Sequence, residues 1–149
     1  MCSSDLGGTV DFLGEREWLH RIGFEEIVDS KDARFAEVTV RGPFDAVPDD
    51  RLLDVAARTV RERTDDRPLF LAITTFWSHS PYLSQDRARP GGEEAVIRAT
   101  DKAIAAFYRA LREGGFFEHG ILFVTGDHRA MSPYSTAEMA RFEIGRAHV

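Results

Sequence analysis

Two apolar runs, "PLFLAITTF" at 68–76 and "ILFVTG" at 121–126, constrain this chain more than any other feature. Both are near-continuous rather than alternating, the pattern of a strand covered on both faces. The first is less than half of the roughly 20 residues that a membrane-spanning helix needs. Between them, "EEAVIRATDKAIAAFYRALREGG" reads as a long helix: Val96, Thr100, Ala103, Ile104, Phe107 and Leu111 share one face, and Gly114 and Gly115 end it. Strand, loop, helix, strand is a βαβ crossover, so the expected fold class is α/β, with parallel strands and helices packed outside. In such sheets ligands gather beyond the carboxyl ends of the strands. The polar segments "WSHSPY" and "TGDHR" follow the two runs, which brings His79 near Asp127 and His128.

The rest of the chain fits the same class. "EREWLHRIGF" puts Trp18, Leu19 and Ile22 at helical spacing and exits at Gly23, before a short "FEEIVD". "RFAEVTV" alternates and predicts a half-buried strand. After "GPFDAVPDD" a helix is expected, with Pro48, Asp49 and Asp50 near its start and Leu52, Leu53, Ala56, Ala57 and Val60 along one side. "WSHSPYLSQDRARPGG" is a polar loop of a length that usually carries function or is disordered. With 149 residues, 43% hydrophobic and 30% charged, one domain or part of a larger one is expected. A net charge of -6, with no basic face, argues against nucleic acid as a partner. The single cysteine, Cys2, permits no internal disulfide, and "MCSSDLGG" lacks the basic start and apolar core of a signal peptide.

Four residues stand out chemically. Asp127 and His128 offer a hard oxygen and an imidazole, a pair that suits Mn, Zn or Mg with further ligands from elsewhere. They can share one ion only where the chain has left the strand, a turn that Gly126 makes possible. The plainer alternative is that Asp127 caps the following "SPYSTAEMARF" segment and His128 lies on the surface. His79, between two serines just past a buried strand, is placed to donate to an anionic substrate or a leaving oxygen, or else is a solvated loop histidine. Arg16 has the fork of donors that clamps phosphate or sulfate, although in so arginine-rich a chain any one arginine is a surface residue by default. His20 and His119 fit surface positions.

"PLFLAITTFWSHSPYL", followed by "RATDKAIAAFYRALREGGFFEHGILFVTGDHRAMSP", resembles the carboxyl-terminal half of the catalytic domain of the lipoteichoic acid synthase-like sulfatases, in the alkaline phosphatase superfamily. The resemblance covers 7–142 and is strongest over 68–133. It implies a partial parallel-sheet sandwich of the alkaline phosphatase/sulfatase type. It also implies that Asp127 and His128 bind a catalytic divalent metal, Mn or Mg first and Ca or Zn as alternatives, that His79 contacts substrate and serves catalysis, and that Arg16 holds the substrate head group. Arg129 stands where many relatives have glycine or tyrosine. The implied activity is sulfuric or phosphoric ester hydrolysis, or phosphoglycerol transfer, on phospholipid or glycan head groups outside the cytoplasm. The parent protein is then expected in the bacterial cell membrane, held by amino-terminal helices absent from this chain. The family's nucleophile, a threonine or a cysteine within Cys-x-Pro-x-Arg, belongs to the amino-terminal half, so the chain as it stands is expected to be inactive. A non-catalytic pseudoenzyme or binding module of the same fold is the alternative. "TGD" also occurs in the phosphatase-like domain of cation-pumping ATPases, but their Asp-Lys-Thr-Gly-Thr strand is nowhere in this chain. Finally, "MCSSDL" and "EIGRAHV" resemble translations of a short-read sequencing adapter and its reverse complement. On that reading 1–6 and 143–149 are scars, and 7–142 is the partial catalytic domain.

Overall fold

Three short strands pair in parallel, and the chain's helices lie on both faces of the sheet they make. The structure is a computed structural model that describes residues 2–11, 14–64, 66–86 and 91–127. In chain order the elements are β1 (Cys2–Leu6), α1 (Glu15–Arg21), β2 (Glu26–Val28), α2 (Asp49–Arg61), β3 (Phe70–Thr74) and α3 (Glu93–Glu113). Single 3-10 turns occur at Ala33–Phe35, Pro43–Asp45 and Phe116–Glu118. The sheet order is β2-β1-β3, with Ser3 opposite Glu26 on one side and Cys2 to Leu6 opposite Phe70 to Thr74 on the other. The chain is therefore α/β, as its pattern predicts.

Strand alternation assigns the layers. In β2, Ile27 packs with Leu19 of α1, whereas its neighbour Val28 packs with Leu52 and Val55 of α2. In β3, Leu71 and Ile73 both lie against the α2–α3 interface of Leu53, Ala56, Ala57, Ala103, Phe107 and Leu111. Phe70 points to the α1 side, with its ring 6.0 Å from that of Phe24. The α2 helix is thus buried along two adjacent stripes, one against the sheet and one against α3. The α3 stripe is the predicted one, with Val96, Thr100, Ala103, Phe107 and Leu111 buried.

Four expectations change. "RFAEVTV" forms no strand: the Asp32 carboxylate accepts from the Arg34 amide at 2.9 Å and pairs with its guanidinium at 2.8 Å, winding Ala33–Phe35 into a 3-10 turn. That local bonding outweighs the alternating pattern, and the turn delivers Phe35 to the α2 core. β3 is not fully covered on both faces: Phe70, on the α1 side, is 60% exposed. The run at 121–126 has no strand assignment, and Ile121, Phe123 and Val124 are 76%, 86% and 63% exposed. Only Leu122 finds the α2–α3 core. Burying the others needs a paired neighbour and a covering layer, and the described residues provide neither. The crossover that completes is accordingly β1-α1-β2, with α2 carrying the chain from β2 across β1 to β3, and not the β3-α3-strand unit.

The segment resembling an adapter product, Cys2–Leu6, is the central strand. Parallel pairing uses backbone donors and acceptors that any non-proline sequence offers. Residues 143–149 lie outside the described residues, as does Arg129. No helix among the described residues is long and apolar enough to cross a membrane.

Candidate functional site

Because all three strands run in the same direction, their carboxyl ends form one edge. Gly7 and Gly8 follow β1, Asp29 follows β2, and Thr75 to His79 follow β3. The loop after β3 is anchored by Trp77, which is fully buried with Ala46 and Val96 and donates its indole N–H to the Leu83 carbonyl. Gly42 lies against the Trp77 ring, where a Cβ would stand 2.8 Å from ring carbons. Only glycine lets the two segments approach so closely.

His79 sits half-buried on this anchored loop. Its amide donates to the Phe76 carbonyl and its carbonyl accepts from the Tyr82 amide, both at 3.1 Å. The ring Nδ1 lies 2.6 Å from the Ser80 carbonyl oxygen. A carbonyl can only accept, so Nδ1 carries the proton, and in the neutral ring Nε2 is left as an acceptor. The Phe44 ring meets the imidazole edge-on at 4.8 Å.

A cavity of about 730 Å³ brings this loop to the end of the second apolar run. It is lined by Thr74, Thr75, His79, Thr125 and Asp127, with Glu93 and Asp101 of α3 opposite. His79 and Asp127 therefore share one cavity, the juxtaposition that the sequence pattern predicts. His128 lies outside the described residues. Thr100 is part of the same wall, and its hydroxyl donates at 2.5 Å to Asp49, a fully buried carboxylate at the start of α2. Gln85 ties the pair together, accepting from the Asp49 amide at 3.0 Å and donating to both side chains at 3.3 Å. Burial pushes the Asp49 carboxyl above its ordinary value, against the opposing effects of Thr100, the Trp77 backbone and Gln85. A second cavity, about 990 Å³, lies between residues 33–40 and α2, and holds no histidine. Its arginines 34, 51 and 58 are already paired with Asp32, Asp50 and Asp54.

Arg16 is on the same edge of the sheet but outside the His79 cavity. Its guanidinium bonds Asp29 at 2.8 Å, and that buried carboxylate also accepts from the amides of Val10 and Lys31. Asp29 was not singled out from the sequence, although an acid immediately after "EIV" carries the same strand-end signal as Asp127. Nothing in the pattern marks Asp49, Thr100 or Phe44, because their roles depend on contacts between distant segments.

As a metal donor set the site is partial. Asp127 supplies a hard oxygen suited to Mn or Mg, but no group of three or more acidic, histidine or cysteine residues converges among the described residues.

No family model matches the chain, and no curated protein sequence matches it. Solved structures do. A protein in the alkaline phosphatase superfamily from Vibrio parahaemolyticus aligns with a TM-score of 0.60 at 21% identity, over 76% of this chain and 28% of that one. The lipoteichoic acid synthase LtaP from Listeria monocytogenes aligns with a TM-score of 0.61 at 17% identity, over 81% of this chain and 34% of that one. The chain thus has the fold of a part, about a third or less, of an alkaline phosphatase superfamily protein and of a lipoteichoic acid synthase, the grouping that its two motifs resemble.

Proposed function

We propose that this chain is part of the catalytic domain of a metal-dependent enzyme of sulfuric or phosphoric esters, most like a phosphoglycerol transferase acting on lipid or glycan head groups. The complete domain would be the parallel-sheet sandwich of the alkaline phosphatase type, borne on a bacterial membrane protein and facing away from the cytoplasm. The observation that carries the reading is the single cavity shared by His79 and Asp127 at the carboxyl edge of a parallel sheet.

Each residue has a role its chemistry permits. Asp127, with His128, would hold Mn or Mg, which when bound stabilises the charge that develops on an ester oxygen. With Nδ1 occupied by the Ser80 carbonyl, His79 presents Nε2 to a substrate hydroxyl or, once protonated, to an ester oxygen. Arg16, oriented by Asp29, offers its remaining donors to an anionic head group. Thr74 and Thr75 line the cavity, but the resemblance places the nucleophile on an upstream strand, and no Cys-x-Pro-x-Arg exists here. The chain alone therefore binds rather than turns over.

Manganese binding to the 149-residue chain tests this, followed by calorimetry and by paramagnetic broadening of nearby resonances. We expect Asp127→Asn to weaken binding more than about tenfold, with broadening centred on Thr125 to Asp127 in the unmodified chain. Equal affinity in Asp127→Asn would remove the metal assignment. In the full-length parent, manganese binding without turnover would identify a non-catalytic module of the same fold.

A further inference from the structure

Among the described residues, three that are not glycine have positive φ: Phe44 at 57°, Asp45 at 58° and Tyr82 at 54°. Two of them, Phe44 and Tyr82, meet His79 directly. The Phe44 ring meets the imidazole at 4.8 Å and 82°, Asp45 continues the same turn, and the Tyr82 amide donates to the His79 carbonyl. The left-handed region brings Cβ against the backbone, so a bulky residue there is unexpected where glycine would serve. Burial does not explain Phe44, whose side of the turn leaves it 52% exposed. Its ring contacts are with Phe76 at 5.8 Å and with His79.

The turn that carries Phe44 is held at several points. The Gly42 amide donates to the Ala46 carbonyl at 2.8 Å, the Ala46 amide to the Pro43 carbonyl at 3.0 Å, and the Thr9 amide to the Phe44 carbonyl at 3.4 Å. Gly42 is seated on the Trp77 ring, which anchors the His79 loop itself. The turn and the loop are therefore packed together through Gly42 and Trp77, and the aromatic edge contact reaches the imidazole beside that packing.

We propose that Phe44 is a positioning residue that holds the His79 imidazole in one orientation by edge-to-face contact, and that the left-handed turn at Phe44–Asp45 persists in order to place that ring. This rests on the reading of His79 as the group that faces an anionic ester. The Ser80 carbonyl sets which ring nitrogen is protonated, and Phe44 sets the tilt of the ring. An aromatic edge against a second ring is directional in a way that an aliphatic contact is not.

The test uses the 149-residue chain and three variants: Phe44→Gly, which relieves the backbone, Phe44→Asn, which tolerates the same φ, and Phe44→Tyr, which keeps the ring. Three-bond NMR couplings report whether His79 χ1 and the ring torsion χ2 each occupy one state, urea unfolding reports stability, and titration with glycerol 1-phosphate in the presence of manganese reports binding. We expect Phe44→Gly and Phe44→Asn to leave the unfolding midpoint unchanged or raised, while the His79 side chain averages over rotamers and affinity falls about three- to tenfold. Phe44→Tyr should restore both the single rotamer and the affinity. A single His79 rotamer in Phe44→Gly and Phe44→Asn would overturn the proposal, as would rotamer averaging that simply tracks loss of stability and is not restored by tyrosine. His79→Ala separates the two readings. If it leaves glycerol 1-phosphate binding unchanged while the rotamer result holds, the role given to His79 under the proposed function fails, and the contact itself stands.

Discussion

Gly42 has backbone angles that any residue can adopt, φ -105° and ψ -160°, yet its missing Cβ decides how the candidate site is built. Alanine there would drive a methyl to 2.8 Å from a fully buried indole that has no room to withdraw. Gly42→Ala should cost about 1–3 kcal/mol, read as a lower urea midpoint, and should also broaden the His79 resonances. Asp49 makes a different prediction. Its raised carboxyl pKa means that the folded chain holds the proton more tightly than the unfolded one. Its contribution to stability is therefore fully present below the ordinary value of 3.8 and is lost as pH rises through the folded-state value. Asp49→Asn cannot ionise, so its stability relative to the unmodified chain should improve as pH climbs from 3.8, as checked by urea midpoints over a pH series. A constant difference between the two would show that Asp49 does not titrate on folding. At this scale the sequence marks His79, Asp127 and Arg16, because each is a chemically distinctive side chain near a predicted strand or helix end. Asp29 carries the same strand-end signal as Asp127 without being singled out, whereas the roles of Asp49 and Gly42 depend on contacts with distant segments.

The elements that match their pattern are those whose stripe has a partner within the chain. Leu53, Ala56 and Ala57 on α2 face Ala103, Phe107 and Leu111 on α3, so both helices are read correctly from a 3.6-residue period. Leu53→Ala should open a cavity in that interface and cost about 2–5 kcal/mol, measured as a shift of the unfolding midpoint at unchanged m-value. The elements that depart from their pattern do so for two reasons. In "RFAEVTV" a local competitor, the Asp32 carboxylate bonded to Arg34, outweighs alternation. In "ILFVTG" no competitor is present: the run has the composition of a buried strand, but only Leu122 reaches a core. Periodicity reports what a segment could bury and cannot report whether a neighbour is there to bury it.

At the scale of the whole molecule, these unmet requirements leave apolar surface and a strand edge uncovered among the described residues. Among the described residues β3 is paired to β1 alone, Phe70 is 60% exposed, and Ile121, Phe123 and Val124 add three large apolar side chains open to solvent. An unpaired strand edge beside exposed apolar surface is a template for association. The 149-residue chain should self-associate as its concentration rises, and the double variant Ile121→Lys with Phe123→Lys should shift it toward monomer without lowering its unfolding midpoint. Sedimentation velocity over a concentration series checks this, and association undiminished in the double variant would place the sticky surface elsewhere.

The sequence by itself determined the class of the fold, the long helices α2 and α3, and the approach of the His79 loop to Asp127 beyond the two apolar runs. Those follow from periodicity and from the short spacing between an apolar run and its polar end, which are properties of neighbours along the chain. Only the tertiary structure decided that Cys2–Leu6 lies at the centre of the sheet, that Asp29 holds Arg16, that Asp49 lies beneath Thr100, and that Phe44 reaches across to His79. Each of these joins residues 13 to 68 positions apart along the chain. Contacts at such separations depend on which layers pack together, and that is settled by the free energy of the whole core rather than by any local pattern.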